Sequence, residues 1–101
     1  MIISQTEVTI PNVLNVIVSE NALTVELEDG RTVAAPLGWY PRLAHASPEE
    51  RTHWRLIGAG TGIHWEDIDE DISVEGLILG KPSSESQKSF QRWLAGRSEK
   101  N

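Results

Sequence analysis

The sequence predicts a small α+β domain, an antiparallel sheet built from a three-stranded N-terminal meander plus one or two further strands, with short helices and a C-terminal helix. Three observations predict it. Residues 12–28, NVLNVIVSENALTVELE, hold two runs rich in Val, Ile and Leu on either side of the polar Ser19-Glu20-Asn21, the composition of paired strands around a turn. Ile63-His64-Trp65 resumes an alternating apolar pattern after a run of glycines. Beyond Pro82 the chain turns polar except for Phe90, Trp93, Leu94 and Ala95, the first three at i, i+3 and i+4 on one stripe of a helix.

Each element follows from local chemistry. Leu23, Val25 and Leu27 alternate with Thr24, Glu26 and Glu28, so the second strand has one buried and one wet face. Asp29-Gly30 marks a turn, because glycine reaches positive φ without steric cost, and residues 31–35 return as the third strand. Pro36 lacks a ladder donor and ends it. Ser47-Pro48-Glu49-Glu50 reads as a helix start, with a capping serine, proline at the first position and acids at the positive end of the dipole, and predicts a short helix over 48–53. Residues 54–57 and 63–65 then read as two strands joined by a glycine turn. Asp71 or Ser73 caps a helix through residues 74–79, which Gly80 and Pro82 stop.

The bulk numbers fit one domain. A chain of 101 residues with 39% hydrophobic content can bury a single core but hardly two. Residues 1–80 are read as that domain and 81–101 as a helical extension whose end, from about Gly96, is expected to fray. With no cysteine, neither a disulfide framework nor a thiolate metal site is possible, and a reducing cytoplasm is compatible with every residue. The N-terminus lacks a basic region followed by an apolar run, and no stretch approaches the roughly 20 apolar residues of a membrane span. The expectation is a soluble cytoplasmic protein with no membrane contact.

Net charge is −6, and Glu66, Asp67, Asp69, Glu70, Asp71 and Glu75 concentrate acid in one segment that repels DNA phosphates. Lys88, Arg92 and Arg97 are the one suggestion of a basic stripe. Nucleic acid is therefore disfavoured as a partner, and a small basic protein is favoured.

Candidate sites can be weighed on residue type and spacing. His64, Glu66, Asp67, Asp69 and Asp71 have the donor atoms for a divalent cation, but on a strand only His64 and Glu66 share a face. A calcium loop starting at Asp67 fails because its sixth position is Ile72 instead of glycine and its twelfth is apolar. Gly58-Ala59-Gly60-Thr61-Gly62 lacks the lysine and the following helix of a phosphate cradle, and acids come next. His45, His53 and His64 have no G-x-S-x-G serine and no cysteine to activate. No catalytic, metal or cofactor site is expected, and the acids are read as solvating a turn before a helix. The aromatic residues carry more weight. Trp65 is assigned to the core, while Trp39, Tyr40, Phe90 and Trp93, with the acids Glu66, Asp67, Asp69 and Glu70, are the candidate partner-binding residues.

The segments NVLNVIVSENALTVELEDGRTVAAPLGWYPRL and WRLIGAGTGIHWEDIDEDISVEGLILG resemble a small bacterial family, the domain of unknown function numbered 2442. The likeness spans about residues 11–80 and rests on Asp29-Gly30, Gly62-Ile63-His64-Trp65 and residues 69–77, DEDISVEGL. It implies a small α+β domain, similar to one that precedes a helix-turn-helix unit in longer proteins; such a unit is not expected within these 101 residues. It implies no activity and no functional residues. Members of the family often neighbour a second one, the domain of unknown function numbered 4160, in an arrangement like a toxin–antitoxin pair.

The leading expectation is thus a non-enzymatic protein-interaction module, the antitoxin-like member of a two-gene system, with its basic partner encoded next door. One alternative is a DNA-binding regulator that contacts phosphates through Lys88, Arg92 and Arg97. Another is a metal-dependent hydrolase built on His64 and the acids. Exposed strand edges and the tail helix also allow a homo-oligomer.

Overall fold

The computed structural model describes residues 9–99, with side chains as far as Arg97. It contains two three-stranded antiparallel sheets, short helices and a C-terminal helix, the α+β architecture that the sequence predicts. The first sheet runs β1 (Val13–Val18), β2 (Ala22–Leu27), β3 (Thr32–Pro36) in spatial order. Ser19 sets the first turn, its Oγ accepting from the Asn21 and Ala22 amides, and Gly30 closes the second with φ +94°. Leu23, Val25 and Leu27 face inward, at most 2% exposed. A bulge between Val13 and Asn15 resets the alternation of β1. Val13 and Val16 are consequently buried while Leu14 and Ile17 are left outside.

After β3 the chain makes a single turn over Leu37–Trp39 and then helix α1 (Pro41–Ala44). The helix expected over 48–53 is only a 3-10 turn, Glu50–Thr52. Its capping chemistry is present: the Glu50 amide donates to Ser47 Oγ and the Ser47 amide to Glu50 Oε1. The helix does not extend because Trp54 is already the first residue of a strand.

The second sheet runs β4 (Trp54–Ile57), β5 (Gly62–Trp65), β6 (Glu70–Ser73) in spatial order. The glycine connection turns through positive φ at Gly58, Ala59 and Gly60, as a tight hairpin requires. A Cβ at Gly60 would come within 2.9 Å of Asn12, so the glycine also allows the two sheets' flanking segments to approach. β6 was not anticipated. In place of an acidic lead into a helix, its residues alternate with Glu70 and Ile72 inside and Asp71 and Ser73 outside. Ser73 alone caps helix α2 (Val74–Ile78), accepting from the Gly76 amide, and Asp71 stays in the sheet. The helix ends in a Schellman motif, with the Lys81 amide bonded to Gly76 O, the Gly80 amide to Leu77 O, and Gly80 at φ +75°.

One apolar cluster joins both sheets. Leu23, Val25, Leu43, Ile63, Trp65 and Val74 are all fully enclosed, and Trp65 Nε1 donates to the Arg51 carbonyl at 3.2 Å, so the one polar atom of its ring is satisfied as burial demands. Helix α3 (Gln87–Glu99) lies back on this body. Phe90 is 7% exposed and stacks on Trp93 at 5.8 Å, with the His45 ring edge-on at 5.1 Å. Arg42 and Arg97 lie over the Trp93 ring, and Arg97 pairs with Glu50 at 2.8 Å. The helix continues through Gly96 to Glu99, and the rest of the end expected to fray falls outside the described residues.

Candidate functional site

The second sheet presents a row of charge on its outer face. Arg55, His64 and Asp71 stand opposite one another across the three strands. His64 points away from buried Ile63 and Trp65, as period two dictates, and is clasped by two carboxylates. Its Nδ1 contacts Asp71 Oδ1, and its Nε2 lies 3.2 Å from Glu66 Oε1, which Arg55 also approaches at 3.5 Å. The hydrogen bond to Asp71, then the charges of Asp71 and Glu66, hold the imidazole pKa above its ordinary value against desolvation and Arg55. Nearby His53 Nδ1 meets Asp67 Oδ2 at 2.6 Å, and its pKa is raised for the same reason. Glu66, Asp67 and Asp71 therefore each stand beside a basic side chain of the same chain while staying exposed.

A cleft of about 490 Å³ opens where β6 faces the segment after α2. It is lined by Tyr40 and Arg42, by residues 69–73 and by residues 81–85. Glu70 is only 8% exposed, the one buried charged side chain among the described residues. Burial above all, helped by the negative charge of Glu85 and opposed by the positive charge of Arg42, pushes its pKa up to about 7. Arg42 is already committed: it donates to both oxygens of Glu85 and to the Ile68 carbonyl. The Tyr40 hydroxyl is buried without a hydrogen-bond partner, and burial followed by the charge of Glu70 raises its pKa. The chemistry available is that of a carboxyl balanced between protonated and ionised forms beside an idle donor.

The sequence-based candidates thus occupy different places. Glu66, Asp67 and Asp69 are exposed on the turn before β6, Asp69 at φ +52°. Glu70 and Tyr40 are buried at the cleft floor, and Trp39 is half-buried against the core. Phe90 and Trp93 pack onto the chain's own body through the ring contacts above. Lys88 and Arg92 are exposed on α3, whereas Arg97 is engaged by Glu50 and Trp93. Among the described residues no group of three or more His, Asp or Glu could hold a metal ion, and no helix is long and apolar enough to cross a membrane. The burial of Glu70 is what sequence reasoning missed. Its signal was the alternation with Ile72, masked by the acids on either side.

Comparison with known proteins gives the same reach. The sequence profile of a family described as "Protein of unknown function (DUF2442)" matches residues 13–83. A crystal structure of a protein of unknown function from Rhodospirillum rubrum is 30% identical, covering 76% of this chain and 95% of its own at a TM-score of 0.64. A solution structure of an uncharacterized protein from Chromobacterium violaceum, 23% identical, covers 85% of this chain and 75% of its own at a TM-score of 0.62, a likeness of fold alone. No protein of curated function matches.

Proposed function

The chain belongs to the DUF2442 family of proteins of unknown function, and from that premise we propose that it is a non-enzymatic protein-interaction module that offers an acidic surface to a small basic protein. The observation that carries this reading is the exposed run of Glu66, Asp67, Asp69 and Asp71, which ends in a sheet edge, β6, at the side of a cleft. Carboxylates arrayed along an open edge steer cationic partners, and the backbone of the edge strand offers main-chain groups for pairing. In its finer form the protein is the antitoxin-like member of a two-gene bacterial system in the cytoplasm, and its partner is the product of the neighbouring gene.

The test is co-expression with that product. The partner is expected to co-purify with this chain and to be released when Glu66 and Asp67 are both changed to Lys. A partner that neither co-purifies nor is neutralised in a growth assay contradicts the reading.

A further inference from the structure

β6 is an edge strand, and its residues 70–73 line the cleft together with residues 81–85. Among the described residues no backbone hydrogen bond joins those two segments; the Lys81 amide bonds instead to Gly76 O and the Ser83 amide to Trp39 O. The outer side of β6 thus carries main-chain groups without a protein partner, an arrangement that accepts an added extended segment. Charge says what kind of segment. Asp69, Glu70, Asp71 and Glu85 line the cleft against Arg42 and Lys81, and the Arg42 guanidinium is taken up by Glu85 and the Ile68 carbonyl. At its floor lie Glu70, more than nine-tenths buried, and the Tyr40 hydroxyl, buried with no partner.

We propose, resting on the interaction reading above, that this cleft receives a lysine or arginine side chain from an extended basic segment of the partner, the segment pairing with β6 and its cationic head meeting the Glu70 carboxylate. A cation at that point stabilises the ionised carboxyl, and the Tyr40 hydroxyl, which has no acceptor within the free protein, is left to bond the incoming segment. In the free protein burial favours the protonated form, so binding releases a proton near neutral pH. The titratable and charged groups facing Glu70 are Tyr40, Arg42, Asp69, Asp71 and Glu85, and Lys81 lines the same cleft.

The probe is a capped Val-Thr-Arg-Thr-Val peptide, titrated into isotopically labelled full-length protein alongside the same peptide with citrulline, a neutral isostere, in place of arginine. The arginine peptide is expected to shift the amides of residues 70–73 and 81–85, and the citrulline peptide to bind about tenfold more weakly, the weight of one lost charged contact. Glu70→Gln and Tyr40→Phe should each weaken the arginine peptide while leaving distant amides unmoved. Equal binding of the two peptides, shifts confined to Glu66 and Asp67, or no shifts at millimolar peptide would overturn the proposal. Undiminished co-purification of the neighbouring gene product with Glu70→Gln removes the cleft and leaves the interaction reading standing. Peptide binding in the cleft with no co-purifying partner does the reverse.

Discussion

Arg42 and Glu85, 43 residues apart, are joined by a fork of hydrogen bonds, Nε reaching both carboxylate oxygens at 3.0 Å and Nη2 reaching Oε2 at 2.7 Å. Both side chains are largely shielded, 16% and 12% exposed. The pair ties the segment before α3 to α1, and it also removes from the cleft the cation that would otherwise neutralise Glu70. Arg42 holds the Glu85 pKa down, as a shared two-point contact should.

Breaking that tie leaves a partly buried guanidinium with fewer acceptors. Glu85→Gln is expected to lower stability by about 2 kcal/mol, less than for a fully buried pair because both groups keep some water. Urea unfolding measures the loss, and hydrogen exchange at Phe90 and Trp93 should quicken because α3 loses its anchor. Unchanged exchange would mean that the ring contacts and the Arg97–Glu50 pair hold the helix without it.

Glu70 sets one arm of the pH dependence. Its pKa is raised from 4.5 to about 7, so the fold carries no penalty below the unfolded value and accumulates one as pH rises through the folded value. Glu70→Gln, which mimics the neutral acid, is expected to raise stability at pH 8 by about 2–3 kcal/mol and to change it little at pH 4.5. Thermal unfolding of both proteins at the two pH values checks this.

His64 adds to the same trend. Its raised pKa means that its pairing with Asp71 stabilises the fold fully below the unfolded value of 6.5 and ceases to as pH rises through the folded value. Asp71→Asn should therefore lower the melting temperature at pH 6 and leave it unchanged well above the folded pKa. Glu50 and Glu85, whose pKa values Arg97 and Arg42 lower, act oppositely: their contribution is present above the unfolded value of 4.5 and is lost on further acidification. Stability is expected to peak at mildly acidic pH.

Tyr40 offers a sharper contrast between stability and binding. A buried hydroxyl with no partner keeps its desolvation cost, so Tyr40→Phe is expected to raise stability by about 1 kcal/mol. Chemical denaturation measures it. A loss of similar size would mean that the hydroxyl is bonded in solution.

Where side-chain alternation and turn chemistry agreed, the fold was legible in the sequence. Leu23, Val25 and Leu27 alternate cleanly, and Asp29-Gly30, Gly58 to Gly62 and Ser73 turn or cap the chain where their chemistry predicts. β6 escaped because an inward position is filled by Glu70 instead of a β-branched residue, and its neighbours are acids. The 3-10 turn at Glu50–Thr52 has a genuine capping box, and only the tertiary pairing of Trp54 with Trp65 stops it from lengthening. The acids read as one surface divide in the fold, some paired to His53, His64 and Arg55 and one enclosed. That division depends on contacts between residues distant in sequence, which spacing alone does not encode. His64, without an assigned part in the sequence, bridges Glu66 and Asp71.

The buried carboxyl of Glu70 is the centre of the account, since the open cleft, the idle Tyr40 hydroxyl and the pH dependence all turn on it. Carbon-13 NMR of the labelled glutamate carboxyls, followed from pH 3 to 9 with Glu70→Gln to assign the signal, reads its titration directly. The account predicts a midpoint of about 7. A midpoint near the ordinary 4.5 would place Glu70 in solvent and contradict it.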